Sequence, residues 1–321
     1  MITLALVLVL VAWLALPFVP ALQEAFRARD DGALPISDLY VEDLARPIEA
    51  DAPAMPAEAP GSTIVEETFA GTPGLVADEV RVRADVQLAA GTEVRRRVAA
   101  GTTLDVDPGS VLLGSAEAGE RVRLATGVRF ERVHAPVVEV GGAAERPEPA
   151  RPPAFEVNPG VELLAGRALV SDDLAVPPRG RLSADLVVTG DLVVGAGAVV
   201  EGDVKAHGDV VLETGARVTG NVFASRSLTL GAWAEVDGAA VAEGTLRLAR
   251  GARVGRPDVP STATGRCVVV AAGARVYGTL WAVEDGHTVD ELEDSDGAGS
   301  ATGRGGSRGL TGRQPEAGPR R

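Results

Sequence analysis

The chain has 321 residues, of which 45% are hydrophobic, 3% are aromatic and 39 are glycine. So few rings argue against a three-layer globular fold, and the single cysteine, Cys267, excludes an internal disulfide and a cysteine-built metal site. A net charge of −14, from 31 basic and 45 acidic side chains, argues against a nucleic-acid partner.

Residues 1–23 carry no charged side chain, and Leu4, Leu8, Val11, Trp13, Leu14 and Phe18 mark an apolar run long enough to cross a bilayer as a helix. Arg27 and Arg29 follow it and no basic residue precedes it, which predicts a single-pass anchor with the rest of the chain in the cytoplasm. A cleaved signal peptide would carry a basic leading region, which this run lacks. Residues 24–77 are acidic and rich in Pro and Ala, and read as a solvated linker.

From residue 78 to 141 a template recurs, apolar-x-apolar-x-x-Gly-x-x-apolar. It matches Val86, Leu88, Gly91 and Val94, then Leu104, Val106, Gly109 and Leu112, then Val122, Leu124, Gly127 and Phe130. Val138 and Val140 fit only its first strand. Residues 142–153 hold Pro147, Pro149, Pro152 and Pro153 and read as an interruption, because proline cannot join an inner ladder. The template resumes at Phe155, Val157, Gly160 and Leu163 and runs to residue 284, with Arg179 in place of one glycine. An excess of four residues between Arg256 and Ala263 predicts a local loop. The stretch 285–321, first acidic and then rich in Gly, Ser and Arg, reads as a disordered tail.

The period is 18. Leu192, Val210, Leu228 and Leu246 repeat at that spacing, as do Gly202, Gly220 and Gly238. Apolar residues two apart share one face of a strand, and three short strands with tight corners fill 18 residues. The fold class is therefore all-β, a parallel β-helix with triangular coils whose repeats stack on their neighbours. The period leaves open the handedness, and whether the two coil-rich halves form one rod.

The run GDLVVGAGAVVEGDVKAHGDVVLETGARVTGNVFA, residues 190–224, resembles the bactofilin family of bacterial polymer-forming cytoskeletal proteins, and the likeness covers about Ser183 to Ala282. The resemblance implies a β-helix that joins end to end without a nucleotide or other cofactor, and a scaffold at the cytoplasmic face of the inner membrane. It also implies envelope or cell-shape roles, with envelope-associated proteins as partners beside the chain itself and the lipid bilayer. The long apolar span and the extra coils at Glu79–Gly141 depart from the compact pattern of that family.

The rival reading is a hexapeptide-repeat acyltransferase or a gamma-type carbonic anhydrase, which use coils of the same length. Those enzymes need a catalytic or zinc-binding histidine set, and only His134, His207 and His287 occur here. His207 is expected at an outward corner, His134 at a coil edge and His287 in the tail. No catalytic, metal or cofactor residues are therefore assigned. Two surfaces stand out as interaction sites instead. The last coil offers Val276, Leu280 and Trp281 with no capping helix, which predicts end-to-end association there. One outward column holds Val187, Phe223 and Val241, an apolar face for lateral or partner contacts.

Overall fold

A computed structural model describes residues 63–66, 68–142, 144, 153, 155, 156, 163, 164 and 167–292. Every regular element among them is a strand, and all 28 strands belong to one sheet. The expected anchor and its residues Leu4, Leu8, Val11, Trp13, Leu14 and Phe18 lie outside the described residues. Within the described residues, no helix is long and apolar enough to cross a membrane.

The 18-residue period is the stacking repeat. Leu192–Val194 pairs in parallel with Val210–Leu212, that strand with Leu228–Leu230, and that one with Thr245–Leu248. Leu192, Val210, Leu228 and Leu246 are all wholly buried, so the repeat is a column of side chains in one narrow core. Between Leu174 and Val254 each coil of this C-terminal solenoid has three strands of two to four residues, as in Leu192–Val194, Val199–Glu201 and Val204–Ala206, whereas Ser261–Ala271 and Arg275–Val289 run on through corners. In the N-terminal solenoid longer strands turn a corner without breaking, as in Glu93–Ala100 and Val111–Ala118.

Corners explain the glycines. The Ala198 N–H donates to the Gly195 carbonyl at 2.9 Å, closing a four-residue turn with Gly197 at φ 65°. A left-handed residue at that position is the usual place for glycine. Arg179 and Trp233 occupy the same position in their coils at φ 57° and 61°, which accounts for the two gaps in the glycine series. A second corner is held by side chains one coil apart. Asp185 accepts from the Asp203 N–H at 2.9 Å, Asp203 from the Asn221 N–H at 2.7 Å, and Asn221 from the Ala239 N–H at 2.9 Å. These side chains satisfy turn amides.

Boundaries differ from the sequence reading in three places. Strands Thr63–Glu66 and Phe69–Ala70 pair with Val76–Val82 and Val86–Leu88, so the solenoid begins inside the stretch read as linker. Thr63, Ile64 and Val65 supply the β-branched run that the surrounding Pro and Ala obscured. The last strand, Arg275–Val289, extends past the expected boundary at 285. Where the template resumes, the described strands differ from a regular coil. Phe155 is 38% exposed, and Leu163–Leu164 turns back antiparallel on Arg167–Val170. The predicted loop is present, as Arg256 and Val259 form an antiparallel bridge before Ser261–Ala271.

Candidate functional site: the strand edges and the solenoid junction

A solenoid offers two kinds of surface, the outward columns along its length and the unpaired strand edges at its ends. Both can be followed residue by residue.

The first column runs Arg181, Val199, Arg217, Glu235, Arg253 and Arg275 in neighbouring strands. It then continues without interruption into the other solenoid through Glu139, Arg123, Asp105 and Gln87. Charges of opposite sign meet along it. Arg253 contacts Glu235 at 2.7 Å, Arg275 contacts Glu139 at 3.0 Å and Arg123 contacts Asp105 at 3.6 Å.

The second column contains the expected apolar set. Val187, Phe223 and Val241 are half-buried and lie in register with Lys205. The Lys205 ammonium sits 5.5 Å from the centre of the Phe223 ring, so this ring carries a cation over its face. Two members were not anticipated. Leu169, 59% exposed, precedes Val187, and Thr264 separates Val241 from Trp281. Leu169 escaped notice because its coil lacks the template glycine. Thr264 escaped because the loop after Arg256 shifts the spacing.

The third feature is the end of the C-terminal solenoid. Val276 and Leu280 are buried and Trp281 is exposed, but the strand that carries them is not an open edge. Arg275–Val289 pairs antiparallel with Arg129–Val140, the last strand of the N-terminal solenoid. Val276 lies opposite Val138, Leu280 opposite Val133 and Trp281 opposite Arg132. The expected free C-terminal end is therefore corrected: its edge is occupied within the chain. The physical reason lies in Val138 and Val140. They complete a coil against Val122 and Leu124, and that coil presents a matching edge.

Polar contacts fix the register of this junction. Thr288, almost fully buried, donates its hydroxyl to the Ala125 carbonyl at 2.7 Å and accepts from the Val128 N–H at 2.9 Å. His134 Nδ1 lies 2.9 Å from the Thr279 hydroxyl, Arg129 contacts Asp285 at 3.0 Å, and the Arg132 guanidinium lies 5.9 Å from the centre of the Trp281 ring. Burial pushes the Asp285 carboxyl up, but hydrogen bonds from Arg129 and His287 outweigh it and hold the group below the usual aspartate range. Gly286 permits the close approach, because a Cβ there would come within 2.5 Å of the Phe130 carbonyl oxygen.

One unbroken inner ladder results. It runs Ile64, Val80, Val98, Ala116, Val133, then Leu280, Ala263, Ala240, Val222, Val204, Leu186 and Ala168. Eleven strand-to-strand steps of ~4.8 Å make it about 53 Å long. Its outer ends belong to the first coils, since the last coils are joined to each other, and at the Ala168 end Leu163 pairs antiparallel with Ala168. On another side of the first coil, Leu174–Val176 pairs only with Leu192–Val194 among the described residues. The Leu174 N–H and the Val176 carbonyl point into that ladder. The alternation of a strand therefore turns the Ala175 backbone groups away from that ladder, toward the side without a strand partner among the described residues.

The histidines form no site. His207 is exposed on the outward side, as expected, while His287 belongs to the last strand rather than to a tail and lies 3.1 Å from Asp285. Among the described residues, no three His, Cys, Asp or Glu side chains are grouped to hold a metal ion.

The fold and its edges thus define a β-solenoid built from coils of parallel strands. Residues 162–256, within the C-terminal solenoid, match the family model Bactofilin, described as polymer-forming cytoskeletal. The segment recognised from the sequence alone overlaps this match and extends beyond it. No curated protein and no solved structure matches the chain.

Proposed function

We propose that this chain is a polymer-forming scaffold that works without nucleotide or catalysis and associates through the first-coil edges of its two solenoids. The observation that carries this reading is the junction. It pairs the two last coils within the chain, and in the first coils Thr63–Glu66 and Leu174–Val176 each have a strand partner on one side only among the described residues. The bactofilin match supports self-assembly through solenoid ends. An unpaired strand edge is a template for a further strand, which gives the assembly its physical basis.

The apolar run at residues 1–23 would tether the scaffold to the inner membrane of a bacterium with its solenoids in the cytoplasm. Tethering would raise the local concentration of edges. The column of Leu169, Val187, Phe223 and Val241 is the surface for lateral contacts or for envelope-associated partners.

Electron microscopy of the full-length chain without nucleotide or metal tests the assembly. End-joined rods or filaments are expected. Ala175→Pro removes a donor from the open edge and spares the inner ladder, so it should shorten these assemblies with little change in unfolding temperature. Single rods at every concentration would overturn the reading. Carbonate extraction of membranes tests the tether, with the chain expected in the pellet.

A further inference from the structure

We infer that the junction is an exchangeable interface, in which the N-terminal solenoid of one copy seats on the C-terminal solenoid of a second copy. The inference deepens the scaffold reading but uses a different surface from the first-coil edges. It begins from the antiparallel direction of the junction. Because the two last coils face each other, Gly142 and Phe155 lie toward opposite ends of the C-terminal solenoid.

The distances permit two routes. On the relevant face the path passes Arg275–Val289, Arg253–Val254, Glu235–Val236, Arg217–Val218, Val199–Glu201, Gly180–Ser183 and finally Phe155–Glu156. Six steps of ~4.8 Å amount to about 29 Å. The 13 residues from Gly142 to Phe155 span up to about 45 Å when extended. A coil side of roughly six residues is about 20 Å wide, so the diagonal to the first coil of a solenoid lying alongside is about 35 Å. The connector reaches its own C-terminal solenoid and an adjacent one with length to spare.

The contacts do not distinguish the two routes. Arg275 with Glu139, Arg129 with Asp285, Thr279 with His134 and Thr288 with Ala125 and Val128 join side chains and backbone of one solenoid to the other. The same contacts form whether the two solenoids belong to one chain or two, which is the condition for domain exchange at low cost. Reciprocal exchange gives a dimer of side-by-side solenoids. Exchange in series links neighbouring chains through their centres, while the first-coil edges link them through their ends.

The test uses full-length chains purified in detergent with Cys267→Ser. His134→Cys and Thr279→Cys are made separately, because those side chains already lie within 2.9 Å across the junction. Co-expression of the two single variants followed by oxidation should give a disulfide-linked species at twice the 32.9 kDa chain mass on a non-reducing gel. Each single variant oxidised alone should stay at one chain mass. The double variant His134→Cys/Thr279→Cys reports on the junction itself. If it cross-links within one chain while the co-expressed singles give no linked pair, the junction forms only within a chain and the inference is wrong. If it does not cross-link at all, the junction is absent and the inference falls with it. Neither result depends on whether first-coil edges join, so the scaffold reading stands or falls separately with the Ala175→Pro comparison.

Discussion

The two solenoids share a period but solve the corner differently. In the C-terminal solenoid as far as Val254 three short strands alternate with turns, and Asp185, Asp203 and Asn221 hold one corner through successive coils. In the N-terminal solenoid longer strands bend through the corner, and only Asp85 plays a similar part, accepting from Thr102 and Thr103. Their cores differ as well. Phe69 and Phe130 enter the N-terminal core, whereas Val, Leu and Ala fill the C-terminal one. The family match at 162–256 follows the regular corners, and the N-terminal solenoid, with the same period and different corners, lies outside it. Corner chemistry therefore distinguishes the two halves more sharply than the core pattern does.

The joint between the halves is the place to break that comparison. Leu280→Arg puts an unpaired charge into the shared dry core, where the cost is roughly 3–5 kcal/mol. Thermal unfolding should show a large fall in midpoint that involves both solenoids, and an unchanged midpoint would remove Leu280 from the core. Gly286→Ala is a narrower cut. The added methyl meets Phe130 across the joint, and overpacking of this kind costs about 1–3 kcal/mol. Hydrogen exchange should speed up at 129–140 and 275–289 while the coils around Leu192–Leu230 keep their protection.

The corner difference gives a smaller effect. Asp203→Ala removes the acceptor for the Asn221 N–H at 2.7 Å and for its side-chain amide at 3.0 Å, and one such bond is worth about 1 kcal/mol. The loss should appear as a modest drop in denaturant midpoint. A drop as large as that of Gly286→Ala would show that the ladder acts cooperatively along the corner.

Acid should produce the mildest change. The Asp285 carboxyl is held below its ordinary value in the folded chain, so its contribution is present above the ordinary aspartate range. That contribution fades as pH falls through the folded value, when Asp285 becomes protonated and releases Arg129. Titration from pH 7 to pH 3 should loosen the junction strands, and Asp285→Asn should flatten that part of the profile.

Much of this architecture is legible in the sequence because the signal is repeated. Leu192, Val210, Leu228 and Leu246 report one column, and the columns beginning at Arg181 and Val187 follow from the same register. The loop after Arg256 could be read from four surplus residues. What escaped is not periodic. Nothing local in Arg129–Val140 says that its outer edge pairs with Arg275–Val289, because their contact joins residues more than 130 positions apart in opposite directions. Val276 and Leu280 therefore read as an open end. Thr63–Glu66 was hidden by the composition around it. His134 and His287 looked like scattered surface residues, yet both lie at the junction.

The most direct test of the joined-end architecture is hydrogen exchange on the dilute full-length chain, compared between the junction strands and the outer first-coil strand Leu174–Val176. The account predicts slow exchange at both Arg129–Val140 and Arg275–Val289, and faster exchange at Leu174–Val176. Exchange at Arg275–Val289 as fast as at Leu174–Val176 would mean an open C-terminal edge and would contradict the account.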